Sequence, residues 1–404
     1  MDRPSPATTI PARAPASAAA THWPAVALTV LVSVVAALQV GKAAIALGAL
    51  QADLGLSLAE GGWVMAVFAL IGVVGGIPVG ALTGRFGDRR IMLAGLAALA
   101  LGSTAGAFAN GLAWLIASRI VEGLGFLLVV TAAPTLLGRV TGPARRDLAF
   151  GLWGTFMAAG IVIAMLAGPL FPSWRSLWLA NAALVLSSAL VFALAVKPGP
   201  KATEPLSPAR LARDTAATLR DGRPGLLALA FAAYNLQFFA AVGFLPILLT
   251  QRLGVSIAAA GALSAVAIGA NTLGNVASGP LLARGVSRAA LIAVASGVMG
   301  LTGLLLFLPA TPPLLVFLLF VVFSAVGGLL PPTVLGAAPT VSATPALAPI
   351  ALGLIIQGNN LGQVLGPVVV GSTVAAFGWP AAAVPVALAG AAGVGLAWAL
   401  RARG

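Results

Sequence analysis

Three ionisable side chains interrupt long apolar runs in this chain: Lys42, Arg119 and Glu122. An ionised group at a bilayer centre costs about 2.5–3.5 kcal/mol on insertion scales, so one that persists there is a candidate for moving ions or cargo. Arg119 and Glu122 are three residues apart, on one face of a helix and within pairing reach. Two readings are open. They form an ion pair that solves only its own desolvation, or Glu122, the one carboxylate well inside an apolar run, takes up and releases a proton as Arg119 moves relative to it. Lys42 follows Gln39 by three residues and shares its face. Beside small Gly41 and Ala43 it can snorkel or cap a helix carbonyl. With Arg119 it can also favour an anionic or carboxylate-bearing substrate.

The second half carries amides instead of charges. Tyr234 and Gln237 share a face; Gln357 and Asn360 gather with Asn359 and Gln363; Asn271 and Asn275 are four apart, spacing suited to hydrogen bonds between helices. Gln39, Lys42, Arg119, Glu122, Tyr234, Gln237, Gln357 and Asn360 are therefore the candidate substrate and proton pathway. Enzyme chemistry has little support. There is no cysteine, the single histidine, His22, stands beside Trp23 and Pro24, and no H-E-x-x-H or G-x-x-x-x-G-K-[ST] occurs. No catalytic residue, metal or cofactor is expected, and a multi-pass membrane enzyme is the least favoured reading.

These residues need a scaffold that composition supplies. Hydrophobic residues make up 60% and charged residues 8%, with a mean hydropathy of +1.06. At roughly 20 apolar residues per crossing, the chain has room for about a dozen helices. The breaks place them near 25–50, 60–82, 91–109, 112–137, 147–170 and 176–196, then 225–250, 257–283, 289–308, 312–337, 346–376 and 380–400. The expected organisation is a Pro/Ala/Ser/Thr-rich disordered tail, 1–22, a six-helix bundle over 23–196, a hydrophilic linker, 197–223, and a second bundle over 224–404. Net charge is +13, but the basic residues sit in short clusters between apolar runs rather than along a nucleic-acid-binding stripe. In this layout 18 of the 22 Lys and Arg fall on one side, leaving Arg175 and Arg252 opposite. The positive-inside rule makes that side cytoplasmic, with both termini there, in a bacterial inner membrane.

An internal repeat runs at an offset of 198 to 199 residues. Leu38-Gln39 recurs as Leu236-Gln237, Leu54-Gly55-Leu56-Ser57 as Leu253-Gly254-Val255-Ser256, Gly80-Ala81-Leu82 as Gly279-Pro280-Leu281, and Gly168-Pro169 as Gly366-Pro367. Four matches in one register and in order imply duplicated halves with a pathway between them.

The loop after the second helix reads GALTGRFGDRR from Gly80 to Arg90 and resembles the G-x-L-x-D-R-x-G-R-K signature of the major facilitator superfamily; Gly80, Arg85, Gly87 and Arg89 are the candidate gating residues. Gly84 stands in the place of the signature's Asp, and the nearest acid is Asp88. Arg119 to Gly125 is similar to the family's R-x-x-Q-G-x-G element, with Glu122 for Gln. Gly168-Pro169 followed by Trp174-Arg175 is similar to a Gly-Pro element of its antiporter branch, with Ala164 where that element prefers Gly. The resemblance implies an all-α fold of two pseudo-symmetric six-helix bundles, with Lys42 and Arg119 lining a central cavity. It also implies a monomeric carrier of a small molecule in the lipid bilayer, driven by protons. Proton-coupled efflux of a small organic compound leads, and import of a small organic anion is the alternative.

Overall fold

The computed structural model describes residues 21–142, 145–199, 208–344 and 347–402; nearly all of the expected tail lies outside these. Among them, 12 helices are long and apolar enough to cross a membrane. They are α1 Trp23–Ile45, α2 Leu58–Phe86, α3 Asp88–Ala107, α4 Leu112–Val140, α5 Leu148–Leu170, α6 Trp174–Ala195, α7 Arg223–Leu253, α8 Ile257–Ala283, α9 Arg288–Phe307, α10 Pro313–Leu335, α11 Ala348–Phe377 and α12 Trp379–Ala402. The outer surface is greasy: Leu170, Leu194 and Phe377 are 78 to 81% exposed, positions that only hydrocarbon would accommodate in such number. An even number of crossings brings the first and last helices to one end, called here the near end.

Local caps reproduce the sequence repeat. Gly55 ends a short helix, Leu47–Leu54, that follows α1, and Gly254 ends α7, both in the left-handed region (φ +66° and +63°), which suits glycine because it has no Cβ. Two residues later Ser57 and Ser256 accept hydrogen bonds from the backbone N–H groups of Glu60 and Ala259, both at 3.2 Å, and so start the next helix. His22 does the same for α1, its Nδ1 accepting from the Ala25 N–H at 3.2 Å. The hydrophilic linker contains one more helix, Pro208–Asp221.

The two arginines that break the charge asymmetry lie at the far end and have matching roles. Arg175 donates to the Ala109 carbonyl (3.0 Å) beyond α3, and Arg252 to the Leu308 (2.9 Å) and Thr311 (3.2 Å) carbonyls beyond α9, so each closes the corresponding loop of its half. The tryptophan opening the sixth helix of each half ties back towards the end of the first crossing: Trp174 Nε1 to Asp53 in the short helix after α1 at 3.0 Å, Trp379 Nε1 to Gln251 of α7 at 2.8 Å. Hydrogen bonds from Arg175 and then Trp174 hold the Asp53 carboxyl below the usual carboxylate range. Stability from a lowered carboxyl is present above its unfolded value and lost as pH falls through the folded one. Asp53→Asn is thus expected to melt at a lower temperature than the parent at pH 7, with the two curves converging as the pH falls below 4; thermal scans across pH check this.

Helices α2 with α11, α5 with α8 and α1 with α7 join the two halves. Tight contacts across this seam run from the far end to midway. A Cβ on Gly62 would lie 2.3 Å from the Pro367 carbonyl, one on Gly371 2.8 Å from that of Leu58, and one on Gly261 2.3 Å from that of Met165. The nearest-to-centre contact is Gly72 against Asn360. Beyond it, a Cβ on Gly76 of α2 would meet nothing within 4 Å, and Leu352 and Ile356 of α11 are exposed. The halves are closed at the far end and splayed at the near end.

Candidate functional site

The three charged residues converge inside the first half. Lys42 Nζ donates to Glu122 Oε1 at 2.6 Å and to Ser103 Oγ of α3 at 2.7 Å, and lies 4.5 Å from the Trp178 ring centroid on α6. Arg119 Nη1 bonds the other carboxylate oxygen, Glu122 Oε2. Arg119 also donates to the carbonyls of Gln39 (3.0 Å) and Val64 (3.1 Å), with its guanidinium carbon 4.5 Å from the Phe68 centroid. All three side chains are at most 1% exposed. Two glycines make the arrangement possible by letting helices approach. A Cβ at Gly102 would sit 2.7 Å from Glu122 Cγ, and one at Gly123 only 2.2 Å from the Phe68 carbonyl, so α2 lies close enough to α4 for Arg119 to reach its backbone.

Pairing of Arg119 with Glu122 follows the expected i,i+3 geometry, and Lys42 joins them rather than snorkelling. The expected position differs. None of the three faces the space between the halves, because the carboxylate draws both cations into the first bundle. That space instead holds a small apolar pocket of about 20 Å³, partly open to solvent, bounded by Val40, Gly41, Met65, Phe68, Met165, Phe239 and Gln363 among others. Gln363 is the chief polar group on its wall. Phe68 touches both regions, lining the pocket and carrying the Arg119 guanidinium.

The remaining pathway candidates divide. Gln39 is buried and donates to Asn181 at 3.4 Å; Gln237, at the repeated position, donates to the Ala233 carbonyl at 3.4 Å; the Oε1 atoms of both have no hydrogen-bond partner. Tyr234 is sandwiched between Phe231 and Phe238, its hydroxyl accepting from Asn271, which also donates to the Ser324 carbonyl at 3.0 Å. This is helix-to-helix bonding of the kind expected of Asn271. Asn360 packs on Gly72 at the seam, while Gln357 is only half-buried.

At the near end, α2 continues through Gly80 and Arg85, and Gly87 alone separates it from α3. Arg85 is exposed, and Arg89 Nη2 donates to the Ala193 carbonyl at 2.6 Å. Asp88 is 4% exposed and takes a two-pronged hydrogen bond from Arg139 at the end of α4 (2.7 and 3.0 Å), which also reaches the Lys197 carbonyl. Asp88 therefore ties α3 to α4, while Arg89 and Arg139 reach on to α6 and the residues just after it. Sequence reasoning missed this bond, since a carboxylate and an arginine 51 positions apart carry no spacing signal.

The family model of the Major Facilitator Superfamily matches residues 29–348. The chain belongs to this superfamily. Solved transporters share the fold along almost the whole chain: a mutant of the nucleoside transporter NupG at TM-score 0.77 and 16% identity, covering 94% of this chain and 99% of that one, and a bacterial homolog to human lysosomal transporter Spinster, inward-facing and unoccupied, at 0.73 and 16%, covering 94% and 95%. Among curated relatives, the methyl viologen resistance protein SmvA of Salmonella typhimurium is 30% identical over 171 residues, 41% of this chain and 34% of that protein. The tetracenomycin C resistance and export protein of Streptomyces glaucescens is 29% identical over 177 residues, 43% and 33%. The matches span about a third of these relatives' length. Fold and family thus make this chain a multi-pass membrane protein of that superfamily.

Proposed function

We propose that this transporter is a proton-coupled exporter of a small organic compound, working by alternating access with its near end in the cytoplasm of a bacterial inner membrane. The observation that carries the reading is the placement of a net-charged, fully buried Lys42–Glu122–Arg119 cluster against Phe68, a residue that also walls the pocket between the halves. Cargo pressing on Phe68 shifts the ring on which Arg119 rests, so occupancy and the protonation of the cluster are physically linked. Resistance and export relatives favour outward movement. The positive near-end clusters at Arg85, Arg89, Arg90 and Arg139 favour a cytoplasmic near end. An anionic cargo loses its support, because both cations are engaged by Glu122 and stand behind the pocket wall; apolar lining with one amide suits a lipophilic compound carrying few polar groups.

The test uses the purified protein in sealed vesicles with an imposed pH gradient and a panel of methyl viologen, puromycin and tetracenomycin C. Accumulation of at least one compound on the acidic side, collapsing when a protonophore removes the gradient, is the expected result. Movement that ignores the gradient, or accumulation on the alkaline side only, overturns coupling or direction respectively.

A further inference from the structure

We infer that Lys42, and not Glu122, is the group that binds and releases the proton, with Glu122 held as a lasting carboxylate; the purpose of that proton rests on the transport reading above, but its location does not. Charge arithmetic comes first. Two cations and one anion leave the buried cluster at +1. Protonating Glu122 would take it to +2 in an interior that penalises uncompensated charge steeply, whereas deprotonating one cation takes it to zero. Arginine does not deprotonate in proteins. The amine of Lys42 is the remaining choice.

Hydrogen-bond geometry agrees. One Glu122 oxygen faces Lys42 Nζ at 2.6 Å and the other faces Arg119 Nη1. A proton on either oxygen would have to take the site that faces the ammonium or guanidinium, which has no lone pair to accept it, or the oxygen's other side, where no hydrogen-bond acceptor is recorded among the described residues. A neutral Lys42 meets no such conflict. Its amine keeps two N–H groups and can still donate to Glu122. Its new lone pair can accept from Ser103, whose hydroxyl rotates away from the Trp178 carbonyl it now serves at 2.9 Å. The step is a simple loss: the ammonium N–H bond breaks, the proton passes to solvent water, and the electron pair stays on Nζ. Arg119 is fixed by two backbone carbonyls and the Phe68 ring, so it holds Glu122 in place through both states.

No other element changes the count. Beside Lys42, α3 presents Ser103 and α6 presents Trp178; around the rest of the cluster α6 presents Asn181 to Gln39, α2 presents Phe68 and the Val64 carbonyl to Arg119, and α5 packs Ala164 against Gly41. The titratable Tyr234 of α7 is engaged with Asn271, and Asp88, the other buried acid among the described residues, is bound to Arg139 at the near end.

The sequence makes a direct test possible, because it has three lysines (Lys42, Lys197, Lys201) and three glutamates (Glu60, Glu122, Glu204). Lys197→Arg with Lys201→Arg leaves Lys42 as the only lysine; Lys197 is exposed in the linker and Lys201 lies outside the described residues. The full chain carrying these two changes is labelled with 15N-lysine and 13C-glutamate, placed in lipid nanodiscs and titrated by NMR without any cargo. The Lys42 Nζ signal is expected to shift from the ammonium to the amine position within the pH range where the protein stays folded, while one glutamate carboxyl signal, absent in Glu122→Gln, keeps its carboxylate position. An Nζ signal that remains ammonium throughout, or a Glu122 carboxyl that protonates while Lys42 keeps its proton, overturns the inference. Because no transport is measured, the exporter reading and this one fail separately.

Discussion

Glu122→Gln is expected to melt at a much lower temperature than Lys42→Met, although each removes one charge from the same cluster. Breaking a buried ion pair by deleting one partner costs about 3–5 kcal/mol, mostly through the charge left behind. Glutamine at 122 leaves Arg119, and Lys42 whenever it holds its proton, with no anion within reach. Methionine at 42 leaves a neutral Arg119–Glu122 pair whose arginine keeps its carbonyl partners. It also fills nearly the volume of the lysine stem beside Trp178.

The double variant Lys42→Met/Glu122→Gln carries +1 on Arg119 alone, so it should fall between the two single variants and recover part of the Glu122→Gln loss. That non-additivity is the signature of direct coupling. Tryptophan fluorescence melts of the purified variants give the order: Lys42→Met highest, the double variant next, Glu122→Gln lowest. Equal melting temperatures for Glu122→Gln and Lys42→Met would mean that the three groups do not share one buried site.

What the sequence reveals about this molecule follows from the size of each physical signal. Crossings are legible because every one must be apolar over most of its length, and the charged cluster is legible because ionised groups in such runs are costly enough to stand out. Duplication shows at Gly55 and Gly254, where the backbone demands glycine, and at the serine caps beside them. The surroundings of the cluster are silent. Ser103, Trp178, Asn181 and Phe68 are ordinary residues of membrane helices, and only the fold makes them partners of Lys42 and Arg119. The pocket is silent for the same reason: Val40, Met65 and Phe239 differ in no pattern from residues facing lipid. A stripe of Gly358, Gly362 and Gly366 on α11 belongs with these. Cβ atoms there would lie 2.1, 2.2 and 2.6 Å from the carbonyls of Ala228, Ala232 and Leu236 on α7, a ladder of close approaches hidden among 49 glycines. Helical spacing puts Lys42 on the face of α1 that Gln39 shares, as the structure has it; the cavity position came from the family resemblance, and there the structure differs because Glu122 holds Lys42 inside the first bundle.

A disulfide across the far end is expected to stop transport entirely while leaving the fold intact. The far-end seam is backbone against backbone at Gly62 and Gly371, an approach that exists only while the halves are closed there. For cargo to leave at that end, α2 must part from α11, and the apolar packing given up must be offset by new packing at the near end, where a Cβ on Gly76 now meets nothing within 4 Å and Leu352 and Ile356 stand exposed. A Cβ on Gly371 lies 3.5 Å from the Ala59 Cα, within the span of a disulfide once the nearby Leu58 carbonyl yields slightly. The parent chain has no cysteine, so Ala59→Cys with Gly371→Cys introduces the only thiols. Oxidation should trap the near-open state and lower flux by about a hundredfold or more, as expected when one of two states is removed. Reduction should restore it, and each single-cysteine variant should ignore the oxidant. Full transport by the cross-linked protein would show that the far end never opens, and alternating access through this seam would have to be abandoned. Cross-linking that fails in the resting protein would place the halves apart at the far end, contrary to the packing of Gly62 on Pro367.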